Sequence, residues 1–374
     1  MSNQEKDFSY VEVDPNMIVE SSIRNVNVQM FSVRQEPFEV YGAYDSLREP
    51  WFVRMPNEVA ASVSEGVERL AKEPTGCRVR FSTDSDVIAV RAEMAAIAYS
   101  PHLTLLASAG FDAYVDGNDE SHFQAPFLPP YGTTDGYEQL MRVPFRTRET
   151  RNITIFFPTH ARVKNLWIGV RPDAKLGKGK AYRNPKPVVF YGSSITHGTG
   201  ASRPGLVCSN ILSNRFNLNT LNLGFSGNAK GEPAMADYIA GLEMAAFVMD
   251  YDHNALTVEH LQQTHRPFFA RIRESHPNLP VIMLTRPNMR PEHEFNKQMR
   301  DVVFQTYADA LANGDQNVYF VDGRDYLLPY GDAEAMLDGT HPNDLGYRGM
   351  ADAISVHLEK IMENNPDFCS KQSL

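Results

Sequence analysis

Val188-Val189-Phe190-Tyr191-Gly192-Ser193-Ser194-Ile195-Thr196 is the stretch that decides the fold, because an apolar run gives way there to small hydroxyl residues. Four consecutive apolar residues predict a strand buried on both faces, as in a parallel sheet. Ser194 then falls just beyond the end of that strand. Ligands of open α/β sheets bind beyond the carboxyl ends of the strands, so this serine is a candidate nucleophile.

The chain after this serine repeats the same pattern. Short apolar runs recur at residues 220–223, 245–249, 281–284 and 318–321. Stretches with helical spacing of apolar residues lie between them, most clearly at 260–273 and 294–312. Unbroken apolar runs that alternate with helices are typical of a parallel sheet covered on both faces. Residues 187–374 are therefore predicted to form an α/β domain around a five-stranded parallel sheet.

Residues 21–173 show a different pattern, in which apolar and polar residues alternate. The apolar positions of three such segments are Ile88, Val90, Ala92 and Met94; Ile153 and Ile155; and Leu166, Ile168 and Val170. A period of two predicts antiparallel strands with one face in a core, so we expect a β-sandwich or jelly roll. One helix is expected near 59–70. Residues 1–20 are predicted to be an arm, and the polar, glycine-bearing segment 174–186 a linker.

Composition narrows the classes of function. The 374 residues carry a formal net charge of −10, which disfavours nucleic acid and anionic membranes as partners. No apolar run approaches the ~20 residues that cross a bilayer, and the polar start lacks the apolar core of a signal peptide. With three widely spaced cysteines, a disulfide framework is not expected. These features predict a cytoplasmic protein with no nucleic-acid or membrane partner.

Polar residues follow the ends of several predicted strands. The segment Gly224-Phe225-Ser226-Gly227-Asn228 comes after the second apolar run, Tyr251-Asp252-His253-Asn254 after the third, and Asp338 and His341 after the fifth. Because the carboxyl ends of parallel strands meet at one edge, we expect these residues to join Ser194 in one site. A serine hydroxyl is a poor nucleophile until a base takes its proton, and an imidazole with a nearby carboxylate is such a base.

The four sequence blocks around these residues, taken in order, resemble those of the SGNH hydrolases, also called the GDSL esterase and lipase family. The resemblance implies a flavodoxin-like fold and no cofactor. It also implies a catalytic triad of Ser194, His341 and Asp338. The implied oxyanion hole consists of the backbone N–H groups of Ser194 and Gly227 and the side-chain amide of Asn254.

The resemblance covers residues 186–365 and includes two departures from the family pattern. Ser193 stands where the family has an aspartate, which changes how the nucleophile loop is held but leaves the triad intact. The third block reads Tyr251-Asp252-His253-Asn254 instead of Gly-x-Asn-Asp. The N-terminal half resembles the β-rich domain that precedes the catalytic domain in one branch of the superfamily. Its segment Gly110-Phe111-Asp112-Ala113-Tyr114 is similar to the Gly-x-Asp-Leu-Tyr signature, with Ala113 in place of leucine.

Each of these roles has a structural alternative. Ser194 is also a good helix N-cap, and Asp338 also fits an Asp-Gly turn ahead of a helix cap at residue 343 or 344. In the implied role, Gly227 lacks a Cβ and therefore lets the backbone approach a reacting group closely. The alternative is an ordinary turn glycine. Asn254 is alternatively a surface loop residue.

Further polar residues at the same edge are candidate substrate contacts: His197, His253, Asp252, Arg286 and Arg290. For the two histidines, filling a polar pocket wall is an equal alternative. No metal site is predicted from His253, His260 and His265. The first lies in a loop, and a step of five turns the other two off a common helical face.

The leading hypothesis is a serine esterase that removes short acyl groups, above all acetyl, from a small-molecule or oligosaccharide ester. Acetyl and carbohydrate are suggested by the resemblance, because a β-sandwich beside an SGNH domain often accompanies glycan deacetylation. A lysophospholipase or other lipid acylhydrolase is the nearest enzymatic alternative. A carbohydrate-binding protein with a relict hydrolase domain is the alternative from another class. A homo-oligomer is left open.

Overall fold

The structure is a computed structural model that describes residue 23 and residues 26–365, except 98, 118–120, 143, 288, 289, 291, 292 and 328. We call residues 26–177 the N-terminal half and residues 187–365 the C-terminal half. The predicted arm and Cys369 lie outside the described residues.

The N-terminal half contains two antiparallel sheets with a shared apolar core between them. In the described chain, the first sheet has the spatial order β1 (Gln29–Ser32), β9 (Arg162–Val170), β4 (Ala89–Ala95) and β7 (Gly136–Leu140). The second has the order β10 (Leu176–Gly177), β3 (Arg78–Thr83), β8 (Arg151–Phe156), β5 (Phe111–Asp116) and β6 (Ser121–Phe127), with β2 (Glu39–Tyr41) also paired to β3. A short helix, α3 (Leu105–Ala109), precedes β5. The predicted β-sandwich is confirmed.

The second sheet is buried on its outer face as well, against the C-terminal half. On β3, Val79 and Phe81 point into the sandwich core, whereas the side chains of Arg78 and Arg80 are buried on the other side. Arg78 Nη1 donates to the carbonyl of Thr220 at 2.8 Å, and its Nη2 donates to Asn219 Oδ1 at 2.7 Å. These cross-half hydrogen bonds explain why two arginines are buried where alternation would leave polar residues exposed.

The C-terminal half is built on a parallel sheet whose strands match the predicted apolar runs. The strands are β11 (Val188–Gly192), β12 (Thr220–Gly224), β13 (Ala246–Asp250), β14 (Val281–Leu284) and β15 (Val318–Val321). Within the described residues they form a five-stranded sheet with the order β12-β11-β13-β14-β15. This 2-1-3-4-5 order is that of the flavodoxin-like folds, with the ligand-binding edge at the carboxyl ends of the strands. The predicted fold class is confirmed.

Helices cover both faces of this sheet. One face packs against α5 (Cys208–Phe216) and α10 (Asp344–Asn364). The other packs against α6 (Pro233–Ala240), α7 (Val258–Ser275) and α8 (Glu294–Ala312). The shorter helical segments are α4 (Ser194–His197), α9 (Asp332–Ala335) and the 3₁₀ turns Pro204–Leu206 and Asp252–Asn254. The two longest predicted helical stretches correspond to α7 and α8.

The helix predicted near 59–70 is two helices, and they pack on the other half of the molecule. They are α1 (Asn57–Val63) and α2 (Glu65–Leu70), separated by Ser64, whose hydroxyl caps α2 by accepting from Val67 N at 3.1 Å. The buried face of this pair joins the core that also contains Leu223 and Phe225. The N-terminal half therefore helps to cover the parallel sheet, which the prediction of a separate accessory domain did not include.

The predicted linker contains residues of the N-terminal sheet. Leu176 and Gly177 form β10 and pair with Thr83 and Ser82. The sandwich therefore continues to residue 177, past the predicted boundary at 173. The other domain boundaries stay predictions.

Among the described residues, no helix is long and apolar enough to span a bilayer. Cys77 and Cys208 are buried free thiols. Burial raises the pKa of the Cys77 thiol to about 12, so it stays protonated at neutral pH. The cytoplasmic location stays a prediction.

Candidate active site

The helix α4 brings the candidate nucleophile to the carboxyl edge of the sheet. Ser193, at the end of β11, is its N-cap and accepts from Ile195 N at 3.2 Å. Ser194 is the first residue of the helix, so the capping role considered for it belongs to its neighbour. The hydroxyl of Ser194 faces His341 instead, with 2.9 Å between Oγ and Nε2. The residue that replaces the family aspartate thus caps the nucleophile helix.

A tight turn presents His341 to this serine. The Asp338 Oδ1 oxygen accepts from the backbone N–H groups of Thr340 and His341, both at 2.7 Å. The other oxygen, Oδ2, lies 2.8 Å from His341 Nδ1. A carboxylate accepts, so Nδ1 carries a hydrogen and Nε2 is left to accept from Ser194. Asp338 therefore forms the Asp-Gly turn and orients the imidazole at the same time.

The same contacts set the charge of Asp338. Burial favours its neutral form, but hydrogen bonds from the His341 ring and from the turn N–H groups outweigh burial and lower the carboxyl pKa to about 2. The group is therefore ionised throughout the neutral range and can stabilise an imidazolium next to it.

Three N–H donors lie on the segments predicted to form an oxyanion hole. Ser194 N, at the start of α4, and Gly227 N have no acceptor within the described chain. The Asn254 Oδ1 oxygen accepts from Ala229 N at 3.3 Å, which leaves its Nδ2 hydrogens unused. Gly227 has φ +71°, and a Cβ there would meet nothing within 4 Å. The left-handed backbone at position 227 therefore favours glycine, whereas crowding by protein atoms does not require it.

The predicted substrate contacts differ in accessibility. His197 is fully buried at 0% exposure, so a role in contacting substrate is not supported. Asp252 is buried as well and pairs with Arg286, with 3.2 Å between Oδ2 and Nε. His253 is half-buried, and burial followed by the nearby Arg286 charge lowers its pKa to about 4. Arg286 keeps 12% of its side chain exposed, while Arg290 is exposed on the following loop.

The structure also brings residues of the N-terminal half next to the site, which the sequence did not predict. His102 Nε2 lies 3.7 Å from Asp338 Oδ2, and more than half of the His102 side chain is exposed. Glu73 and His160 surround His197. No local sequence signal marks these residues, because each is more than 30 positions from Ser194 along the chain.

Glu73, His160 and His197 lie close enough together to be compared with a metal site. The donor set does not fit one. The rings of His160 and His197 are stacked at 4.5 Å with planes 17° apart, so their in-plane lone pairs run side by side and do not converge. His197 Nε2 also lies 2.9 Å from the carbonyl of Thr159, which makes it a hydrogen donor.

Fold and site define a class: a two-part α/β hydrolase with a serine, a histidine and an aspartate within hydrogen-bond distance at the carboxyl edge of its sheet. Residues 185–359 match the GDSL-like lipase/acylhydrolase family, and residues 28–176 match the N-terminal domain of SGNH-hydrolase-type esterases. The chain therefore combines a hydrolase domain of the GDSL-like, or SGNH, family with the N-terminal domain of SGNH-type esterases, and it is a carboxylic ester hydrolase.

Several solved structures share this architecture. A protein from Bacteroides ovatus described as a GDSL-like lipase is 27% identical, with a TM-score of 0.79 over 90% of this chain and 98% of its own. The salicylyl-acyltransferase SsfX3 of a tetracycline biosynthetic pathway is 22% identical, with a TM-score of 0.71 over 89% and 97% of the two chains. A family two carbohydrate esterase from Clostridium thermocellum, solved with cellohexaose, is 15% identical, with a TM-score of 0.57 over 77% and 93%. At 22% and 15% identity, the acyltransferase and the carbohydrate esterase show only that the fold is shared. No curated protein sequence matches the chain.

Proposed function

We propose that this protein hydrolyses short-chain acyl esters, above all acetyl esters, through a triad of Ser194, His341 and Asp338. The observation that carries the proposal is the continuous relay from hydroxyl to carboxylate, with 2.9 Å from Ser194 Oγ to His341 Nε2 and 2.8 Å from His341 Nδ1 to Asp338 Oδ2. Both distances are those of formed hydrogen bonds, and they match the geometry by which a histidine activates a serine.

The reaction runs in two halves. As Ser194 Oγ attacks the acyl carbon, its proton moves to His341 Nε2, and the carbonyl oxygen becomes an oxyanion held by the N–H groups of Ser194 and Gly227 and by Asn254 Nδ2. The imidazolium then gives its proton to the departing alcohol, and an acyl-serine remains. Water attacks this ester with His341 as base. Collapse of the second intermediate releases the carboxylic acid and returns the proton to Ser194.

The alcohol part of the substrate is proposed to be a carbohydrate. The support is the shared fold with a carbohydrate esterase bound to cellohexaose, together with the sandwich beside the catalytic half. A lipid acylhydrolase and a relict carbohydrate-binding protein remain the alternatives. The intact relay argues against the relict protein, because a site without selection for chemistry has no reason to keep all three groups aligned.

Replacing Ser194 with alanine tests the mechanism. We expect Ser194→Ala to abolish hydrolysis of a short-chain aryl acetate, while Ser62→Ala, an equal change on the exposed surface of α1, leaves the rate unchanged. Turnover by Ser194→Ala at the wild-type rate would exclude the triad.

Two substrate series test the specificity. The first series uses p-nitrophenyl esters of increasing acyl length. For an acetylesterase, kcat/KM falls once the acyl chain exceeds a few carbons, whereas for a lipid acylhydrolase kcat/KM rises with chain length. Acetate release from acetylated oligosaccharides of different sugars tests the carbohydrate part. A wild-type protein that binds these glycans but releases no acetate would support the relict alternative.

A further inference from the structure

The helix that carries Ser194 is too short to hold its own position. α4 has four residues, and an isolated helix of this length is unstable in water. Three groups of the C-terminal half hold it: Asp250, whose Oδ2 accepts from Thr196 Oγ1 at 2.7 Å, Tyr347, whose hydroxyl donates to the carbonyl of Ile195 at 2.9 Å, and Asn222, whose Nδ2 donates to the carbonyl of Thr196 at 2.6 Å. None of these three hydrogen bonds is made to His197, the last residue of the helix.

The last residue of α4, His197, contacts four residues of the N-terminal half, and Gly224 of β12 packs against its backbone. His197 Nε2 lies 2.9 Å from the carbonyl of Thr159 and 3.1 Å from Glu73 Oε2. The hydroxyl of Thr75 donates to the carbonyl of His197 at 2.7 Å. The ring of His160 stacks on the His197 ring at 4.5 Å. We call these four residues of the N-terminal half the His197 socket.

The socket is rigid because buried arginine hydrogen bonds tie it to the parallel sheet. Arg54 is 1% exposed; its Nε donates to the carbonyl of Glu73 at 2.7 Å, and its Nη1 donates to the carbonyls of Asn222 and Gly224 at 2.9 and 2.8 Å. Those two carbonyls belong to β12, which is adjacent to β11. The guanidinium therefore joins the backbone of the socket to the strand beside the nucleophile.

His197 acts in the socket as a neutral hydrogen donor. A carbonyl only accepts, so the contact with Thr159 places the hydrogen on Nε2. Burial, and after it the charge of Arg54, lowers the pKa of His197 to about 3, and burial followed by the neighbouring His197 does the same for His160. Neither ring therefore gains charge near neutral pH.

We propose that His197 is a positioning residue through which the N-terminal half fixes Ser194 for attack. The inference rests on the proposed role of Ser194 as nucleophile. His197 lies three residues after Ser194, one turn along the same short helix, so a displacement of its ring rotates the helix and moves Oγ away from His341. A misplacement of a reacting atom by about 1 Å can lower a rate by about 10²-fold.

Two substitutions at His197 separate the hydrogen bond from the space the ring fills. His197→Gln keeps an amide N–H near the position of Nε2, whereas His197→Leu has similar bulk and no donor. We expect His197→Leu to lower kcat by about 10²-fold with KM within about twofold. His197→Gln should recover most of the loss. Thr75→Val, which removes the donor to the His197 carbonyl, should lower kcat by about 10-fold.

A matched control removes a cross-half hydrogen bond at the opposite end of the sheet. Asn219→Ala deletes the acceptor of Arg78 Nη2, just before β12 begins and away from the carboxyl edge. We expect it to lower the thermal unfolding temperature by as much as Thr75→Val does, with unchanged kcat. If kcat fell only because the fold is less stable, Asn219→Ala and Thr75→Val would lose kcat equally.

The measurements are kcat and KM on an aryl acetate, the thermal unfolding temperature, and the rate at which a fluorophosphonate labels Ser194, followed by intact mass. The labelling rate reports the alignment of the nucleophile without an ester. If His197→Leu and Thr75→Val label and turn over like Asn219→Ala, the positioning role is refuted. If His197→Leu does not fold, Thr75→Val decides alone. A wild-type protein that neither labels nor hydrolyses would refute the proposed function instead.

Discussion

At the scale of single residues, the two adjacent serines of the nucleophile stretch have different roles. Ser193 is 1% exposed and caps α4, whereas Ser194 faces His341. In the proposed oxyanion hole, Asn254 is oriented by the hydrogen bond from Ala229 N to its Oδ1. That contact occupies the amide oxygen and leaves the Nδ2 hydrogens to donate.

Asn254→Ala tests whether this amide stabilises the oxyanion. Removing one donor from an oxyanion hole lowers kcat by about 10²–10³-fold, so we expect a loss of that size with a small change in KM. The measurement is steady-state hydrolysis of an aryl acetate. Asn214→Ala, in α5, removes an amide side chain that makes no hydrogen bond among the described residues and should leave kcat unchanged. A change of less than a few-fold in Asn254→Ala would exclude the donor role.

The segments of the candidate site could be located from the sequence because each follows a strand end that the apolar runs already marked, and the resemblance to the SGNH hydrolases then named the triad and oxyanion residues within them. His197 shows where this reasoning stops. It lies beside the same strand end, yet its ring is buried by Glu73, Thr159 and His160 of the other half. Contacts between segments so distant in the chain depend on tertiary packing, which no local pattern encodes.

At the scale of elements, a buried carboxyl group at the end of β13 binds α4. Asp250 is 4% exposed, and its Oδ2 accepts from the Thr196 hydroxyl. Burial raises the pKa of Asp250 to about 8, and the negative charge of Asp252 adds to the rise, although the Thr196 hydrogen bond opposes it. The junction between strand and nucleophile helix is therefore most stable with this carboxyl protonated.

The stability of the fold should reflect that protonation. The folded pKa of Asp250 lies above its unfolded value of about 3.9, so its contribution is fully present below pH 4 and is lost as pH rises through about 8. Asp250→Asn keeps the shape without the titration. We expect the free energy of unfolding of wild type, relative to Asp250→Asn, to fall by about 1.4 kcal/mol per pH unit between pH 5 and 8.

Urea unfolding of both proteins at several pH values measures this difference. Parallel curves for wild type and Asp250→Asn would show that Asp250 is already ionised in the folded protein over this range, as it is in the unfolded chain, and would refute the raised pKa. Using the difference between the two proteins removes the contributions of the other buried titratable groups, which both share.

The elements were predictable to different degrees for a physical reason. The strands of the parallel sheet are buried on both faces, so each leaves a continuous apolar run that can be read locally. α1 and α2 were not resolved as two helices, because the break at Ser64 depends on a capping hydroxyl within a helical pattern. Their packing on the parallel sheet was not predicted either, since the apolar face of a helix does not identify the surface that it covers.

At the scale of the whole molecule, the two halves share one folded structure. The segment that resembles the Gly-x-Asp-Leu-Tyr signature is a contact between them. Asp112 is fully buried and accepts from Gly205 N at 3.0 Å and from Arg203 Nη1 at 2.7 Å. A Cβ on Gly205 would overlap the ring of Tyr114. The signature therefore holds the loop that follows the nucleophile helix, and the substitution of Ala113 leaves these contacts in place.

This shared structure predicts that residues 187–374 do not fold alone. Without the N-terminal half, the sheet loses the cover of α1 and α2, and the carbonyls of Asn222 and Gly224 lose the Arg54 guanidinium. Exposed apolar surface and unpaired buried carbonyls both disfavour the native state. We expect the fragment to aggregate or to lack a cooperative thermal transition. Co-expression with residues 1–186 should restore a soluble complex and fluorophosphonate labelling of Ser194. A fragment that melts cooperatively and hydrolyses aryl acetate at the wild-type rate would show that the two halves are independent.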